Sequence, residues 1–148
     1  MIKPMTQEER DRAKVRSRIN QREESKEMVS ERFTYPLTMN DYQADAAQFA
    51  IYKWKVIYPA LGLANEAGEV LGKIKKLIRD QDLTFGPDQK LSDKDRAAIA
   101  DELGDVLWYV AILARDLGVS LNEVAHINIE KLTSRQKRGV IGGSGDDR

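Results

Sequence analysis

Cysteine is absent from this sequence, which excludes disulfides, thiolate metal sites and cysteine nucleophiles. Histidine occurs once, at position 126. Neither sign of charge is in excess, with 24 Lys and Arg against 24 Asp and Glu, so no overall bias points to nucleic acid or a membrane surface. No apolar run is long enough to span a bilayer, and the charged N-terminus lacks the apolar core of a signal peptide. The expected setting is cytoplasmic. No segment alternates as a strand. What remains is a chain of 148 residues, 41% hydrophobic and 32% charged, enough for one globular domain with charged helix faces.

The order of elements follows from breakers and caps. Residues 1–36 form a charged arm, read as a loose helix or a disordered segment. From Thr6 to Arg32 its apolar residues (Ala13, Val15, Ile19, Met28 and Val29) are too sparse for a stripe. Nine Lys and Arg against seven Asp and Glu over residues 1–32 leave it only +2, which fits a solvated appendage better than a nucleic-acid contact. Tyr35-Pro36 closes it. Helix A is expected from Thr38 or Asn40 to about Ile57, with Tyr42, Ala46, Phe49, Ala50, Val56 and Ile57 inward. Pro59 suits the first turn of helix B, which ends near Arg79. Gln81 to Leu91, holding Gly86-Pro87, is a loop. Ser92 with Asp95 opens helix C, and Gly118 ends it. Ser120 with Glu123 opens helix D, which runs to about Arg138 with Leu121, Val124, Ala125 and Leu132 inward. Residues 139–148 are a flexible tail. The expectation is an all-α bundle of about four helices spanning residues 37–138.

One phrase occurs twice in that bundle. Asn65-Glu66-Ala67-Gly68-Glu69-Val70-Leu71 returns as Asp101-Glu102-Leu103-Gly104-Asp105-Val106-Leu107. At about 100° per residue, Glu66 and Glu69 share one face of helix B, and Glu102 and Asp105 share one face of helix C. Each pair borders an apolar stripe, which includes Leu63, Val70, Leu71 and Ile78 in the first helix. In the second helix the stripe includes Leu103, Leu107, Val110 and Leu117. Four carboxylates meeting across two helices repel unless protonated or bridged by cations, so the pattern reads as a cage for divalent metal. Hard oxygen ligands suit Mg²⁺, with Mn²⁺ an alternative. Gly68 and Gly104 either admit a close backbone or are simply tolerated at a cost of about 1 kcal/mol each. A di-iron bundle wants Glu-x-x-His on two helices. This chain offers only Glu123-x-x-His126, and that histidine faces away from Leu121 and Leu132.

Helix D adds Asn128, Lys131 and Arg135, spaced i, i+3, i+7 on one face, a combination suited to phosphate. Lys73, four residues after Glu69, joins the acidic face of helix B. The plainer readings are a Glu69–Lys73 surface ion pair, and an Arg135 that complements the helix dipole at a fraying end.

Gly62 to Val70, Asp101 to Tyr109, and Asn128-Ile129-Glu130-Lys131-Leu132 with Arg135 together resemble the MazG-type nucleotide pyrophosphohydrolases, with three motifs in order over about residues 40–138. The resemblance implies an all-α fold related to the dimeric dUTPases, Mg²⁺ dependence, and cleavage of nucleoside triphosphates to monophosphate and pyrophosphate. It implies that Glu66, Glu69, Glu102 and Asp105 are the metal ligands and that Asn128 and Lys131 bind substrate. Asn65 departs from the pattern, since many members carry a further Glu there, often the one that helps activate water. In this chain Glu66 or Glu69 is the candidate proton acceptor. The longer link around Gly86-Pro87 and the charged arm have no counterpart.

The reading is therefore a metal-dependent nucleoside triphosphate pyrophosphohydrolase. The competing class is a non-catalytic helical interaction or regulatory protein. Trp108 and Ile112 lie outside the stripe of helix C, and Ile51 and Trp54 outside that of helix A. This second apolar face predicts a homodimer or homotetramer, or else a pocket for the nucleotide base.

Overall fold

Thr38 begins the larger of the two compact units into which the chain divides, Met1–Leu37 and Thr38–Arg148. The computed structural model describes residues 5–10, 13–14, 16–17, 20–21, 23–24, 37–81, 83, 86 and 90–142. In the first unit, residues 7–10, 13–14, 16–17, 20–21 and 23–24 are helical. Thr6 caps the start of this stretch: its Oγ1 accepts the Glu9 N–H at 3.2 Å, and Glu9 Oε2 accepts the Thr6 N–H at 2.7 Å. The Thr6 backbone and then its hydroxyl hold the Glu9 carboxyl below its usual range. Tyr35-Pro36, most of the loop around Gly86-Pro87, and residues 143–148 of the expected tail lie outside the described residues.

The second unit contains α1 (Met39–Ala46), α2 (Ile57–Gln81), α3 (Asp93–Asp116) and α4 (Leu121–Lys137), and no strand occurs among the described residues. The expected all-α class is the observed one. Thr38, Ser92 and Ser120 each accept the N–H three residues on, from Asp41, Asp95 and Glu123, so these three helices begin with a satisfied donor. Pro59 sits in the first turn of α2, where its missing N–H costs no helical bond. Gly118, at φ +76°, ends α3. The Val119 N–H returns to the Ala114 carbonyl at 2.9 Å, a closure that needs the left-handed conformation glycine takes freely.

Helix A is shorter than the sequence pattern suggests. The α-helix stops at Ala46, a 3₁₀ turn takes Ala47–Phe49, and residues 50–56 are not helical. Four of the six residues 51–56 (Ile51, Tyr52, Trp54 and Val56) are β-branched or aromatic, types that lose side-chain freedom in a helix. Asp116, at the far end of α3, offers this segment a better anchor. Its Oδ2 accepts the Tyr52 hydroxyl at 2.7 Å and the Val56 N–H at 3.2 Å. Val56 is held at φ +65°, which costs a β-branched residue about 1–2 kcal/mol. The two bonds to Asp116 offset that strain, and the chain reverses into α2.

Helices α2 and α3 run antiparallel, since Lys73 meets Glu102 and Gly62 meets Tyr109. Helices α1 and α4 pack on α3 and on each other. The core lies there, at Ala111, Ala114 and Leu121, with Tyr42 and Val110 against it. Two alanines keep α3 narrow where its neighbours cross. Gln43 locks the corner: its Nε2 donates to the carbonyls of Ala111 at 3.0 Å and Val119 at 3.2 Å, and its Oε1 accepts the Leu121 N–H at 3.1 Å. Asn40 accepts the Asn122 N–H at 3.1 Å. Together with Ser120, α1 thus satisfies three of the four free donors at the start of α4.

The expected apolar face of α3 is only partly inward: Val110 packs on the core, but much of the burial goes to the second face. Ile112 is 0% exposed, and Trp108 is half-buried with its Nε1–H donating to the Ala46 carbonyl at 3.1 Å. Leu103 is 52% exposed. Leu71, Ile78, Leu107 and Leu117, all expected inward, are exposed too, as are Phe49, Ile57, Val124 and Leu132. Periodicity finds both faces, but only tertiary packing decides which one α1 covers. Ile51 and Trp54 are exposed as expected, though they stand in the loop and not on a helix.

Removing the Asp116 anchor should be costly. Asp116→Ala leaves the Tyr52 hydroxyl and the Val56 N–H unpaired and should lower unfolding free energy in urea by about 1–3 kcal/mol. The phenol gives an independent check, because burial and then the Asp116 bond push Tyr52 up to about 12. A folded-state value above the ordinary one stabilises fully below about pH 10 and is lost as pH rises towards 12. Tyrosinate absorbance should show a late-titrating group that disappears in Tyr52→Phe and moves towards pH 10 in Asp116→Ala.

Candidate functional site

The antiparallel pairing of α2 with α3 turns one acidic phrase towards the other. Glu66 meets Glu102 and Asp105, and one carboxylate oxygen of each lies within 4.8 Å of the others. Glu66 and Glu102 are half-buried, and Asp105 is exposed. At that separation two unit charges repel by roughly 3 kcal/mol at an effective dielectric of about 20, less where water screens them. Glu69 stands outside this trio. Its Oε1 accepts Asn65 Nδ2 at 3.2 Å, and the same amide donates to Glu66 Oε1 at 3.3 Å. Asn65 therefore ties the two acids of its own helix together.

Lys73 crosses the seam. Its Nζ lies 3.0 Å from Glu102 Oε1, with the two side chains 37% and 13% exposed. The simple Glu69–Lys73 pair is thus replaced by a bridge between helices. The hydrogen bond to Glu102, and then that carboxylate's charge, raise the Lys73 ammonium above its usual range. The donors that converge are hard oxygens carried on two long helices, with no sulfur or imidazole among them. That set fits Mg²⁺ or Mn²⁺ and does not fit a soft metal.

Two tyrosines near the acids escaped sequence reasoning. Burial, then a hydrogen bond with Tyr58, then the charges of Tyr58, Glu66 and Asp105 raise the Tyr109 phenol. Burial and then Asp105 raise that of Tyr42. The signal for Tyr109 was Gly62, one turn before Glu66. A Cβ on Gly62 would overlap the Tyr109 ring, so the ring lies directly across the α2 backbone. Gly68 and Gly104, weighed for such an approach, have nothing within 4 Å of an added Cβ. An aromatic chain continues from there. Tyr58 lies 6.3 Å from Tyr109 between ring centres and stacks on Tyr52 at 4.8 Å, and Trp108 meets Tyr109 edge-on at 4.8 Å. Beside it, Phe49, Tyr52, Trp54, Tyr58 and Trp108 line an open groove of about 400 Å³.

The candidates on α4 are not gathered with the acids. Asn128 and Lys131 are exposed, and neither forms a hydrogen bond or ion pair with Glu66, Glu102 or Asp105. The reason is topological, since α4 docks on α1 and α3 at the Leu121 corner. Arg135 is buried at 8% exposure and is engaged, so it is not a fraying terminal charge. His126 lies on the surface, 3.2 Å from Glu130, as its position on the helix wheel requires.

A helical bundle whose central pair turns carboxylates into one seam defines an all-α protein with an acidic centre suited to a divalent cation. The sequence model of the MazG nucleotide pyrophosphohydrolase domain matches residues 59–140, a span that holds both acidic phrases and the α4 block. The chain belongs to that family. The Gene 37 protein of Mycobacterium phage L5 is 43% identical over 115 residues, covering 72% of this chain and 96% of that protein. YvdC of Bacillus subtilis (strain 168) is 38% identical over 77 residues, 49% of this chain and 68% of that one. YpjD of the same strain is 28% identical over 100 residues, 68% and 87% respectively. No helix among the described residues is long and apolar enough to cross a membrane.

Gly62→Ala should displace Tyr109 from α2. The expected cost is about 1–3 kcal/mol, as for other overpacked sites, read from urea unfolding. A change in Trp108 fluorescence should accompany it, because the Trp108 ring lies edge-on to the displaced one.

Proposed function

We propose that the chain hydrolyses nucleoside triphosphates, NTP or dNTP, to nucleoside monophosphate and pyrophosphate with Mg²⁺, Mn²⁺ substituting for it. The observation that carries this reading is the convergence of Glu66, Glu102 and Asp105 within 4.8 Å, inside the span matched by a nucleotide pyrophosphohydrolase family. Glu66, Glu102 and Asp105 would hold the cation, with Glu69 reaching the same seam by a change of rotamer. A divalent cation bound there supplies charge neutralisation for phosphate oxygens and a more acidic water.

The remaining work falls to the chain's own side chains. Glu66 or Glu69, both bonded by the Asn65 amide, would accept the proton of the attacking water. Lys73 would face the phosphates. Asn128 and Lys131, both exposed, would bind phosphate or sugar oxygens from α4 of the same or a paired subunit, and the buried Arg135 would join them only by leaving its present contact. The groove beside Trp54 and Trp108 is large enough for a base to stack. Exposed Leu71, Leu103 and Leu107 on the central pair, with Ile129 and Leu132 on α4, support a homodimer or homotetramer. An apolar surface this extensive is commonly covered by a partner.

A panel of common and modified NTPs and dNTPs with Mg²⁺ should yield monophosphate and pyrophosphate. Absence of pyrophosphate with every nucleotide would favour a non-catalytic interaction protein. Glu102→Gln and Asp105→Asn should each lower turnover by more than about 100-fold while leaving the fold intact. Lys131→Ala should raise KM for nucleotide without changing metal affinity, because a cation does not ligate Mg²⁺. Light scattering should give at least twice the 16.8 kDa of the chain, and a Leu103→Glu, Leu107→Glu double variant should lower that mass.

A further inference from the structure

We propose that Lys73 is the internal counter-ion of the acidic seam, which holds Glu102 in the metal-free protein and yields it when a divalent cation binds. The inference rests on the metal-centre reading above and concerns what the chain does before the metal arrives.

Among the described residues no imidazole or backbone N–H bonds to Glu66, Glu102 or Asp105, and the one amide that does, Asn65 Nδ2 to Glu66 Oε1, carries no charge. The cation in contact with this trio, among the described residues, is Lys73, whose Nζ stands 3.0 Å from Glu102 Oε1. Glu102 is also the most enclosed partner in that bridge, at 13% side-chain exposure. A carboxylate leaving water pays a desolvation cost that a paired ammonium offsets. Lys73 thus makes it possible for the seam to form with no metal present.

The same contact obstructs metal. An oxygen directed at an ammonium is not free to ligate, and a divalent cation joining the trio would stand close to the positive charge of Lys73. Like charges a few ångströms apart oppose each other strongly at a partly buried site. Lys73 is equipped to withdraw. Its side chain is 37% exposed on a flexible four-carbon stem, and both Glu69 and Asp101 lie within range of its charge. Glu69 is four residues earlier on the same helix, at the spacing where carboxylate and ammonium pair readily. Released from Glu102, Lys73 keeps carboxylate neighbours and becomes free to meet an incoming phosphate.

The test compares wild type, Lys73→Met and Lys73→Arg by calorimetric titration with Mn²⁺, alongside thermal unfolding in chelator. Lys73→Met keeps the length and apolar stem and removes the charge. It should bind Mn²⁺ roughly tenfold more tightly than wild type, yet unfold at a lower temperature in chelator. Lys73→Arg should retain the wild-type pattern in both measurements. The loss of stability in chelator should disappear when Glu102→Gln is combined with Lys73→Met, since the charge needing compensation is then gone. Unchanged or weaker Mn²⁺ binding by Lys73→Met, with wild type binding normally, overturns the counter-ion role and leaves the metal centre standing. Equal stability of Lys73→Met and wild type in chelator overturns it as well. No Mn²⁺ binding by wild type overturns the metal centre and this inference with it.

Discussion

Repulsion among carboxylates gathered between α2 and α3 is the constraint to which the rest of the bundle answers. A seam that must present acids to solvent cannot also serve as the main apolar core. The core is accordingly displaced to the other side of α3, where Ala111, Ile112 and Ala114 are covered by α1 and the start of α4. The two central helices, 25 and 24 residues long, then act as rails. Their register fixes Glu66 opposite Glu102 and Asp105, and the Lys73 bridge about two turns beyond Glu66 draws the rails together.

The loop before α2 is coupled to that register through a chain of contacts. Asp116 holds Tyr52 and Val56, Tyr52 stacks on Tyr58, Tyr58 reaches Tyr109, and Tyr109 lies across Gly62 one turn from Glu66. Each link is local and ordinary. Their sum relates the last residue of α3 to the acidic seam over a path made almost wholly of aromatic rings. Such rings have few rotatable bonds, so the path is stiff. The strained backbone at Val56 marks where this connection is tied off.

Much of this was legible in the sequence. Caps at Ser92 and Ser120, the stop at Gly118 and the duplicated acidic phrase all depend on short-range chemistry that spacing reveals. Convergence of Glu66, Glu102 and Asp105 followed from two helices sharing one pattern. What escaped was decided at long range. Helix A ended early because Asp116, sixty residues away from Val56, competed for its backbone. Leu103 was left exposed and Trp108 half-buried because both are apolar, and nothing in a helical period says which one a distant α1 will cover. Glu69 matched the pattern but turned to Asn65, a choice made by the neighbouring amide and invisible to angle alone. Gly62 was quoted within the first motif, yet its purpose depended on a ring 47 positions later, at Tyr109.

Gln43 shows how narrow the chemistry of one position can be. Its amide donates to two carbonyls and accepts one N–H, joining α1, the end of α3 and the start of α4 through a single side chain. Glutamate has the length but no donor, asparagine has both functions but falls a methylene short, and lysine has donors but no acceptor. Among the twenty side chains, glutamine alone satisfies all three neighbours, so the corner of the bundle admits essentially one letter of the amino-acid alphabet.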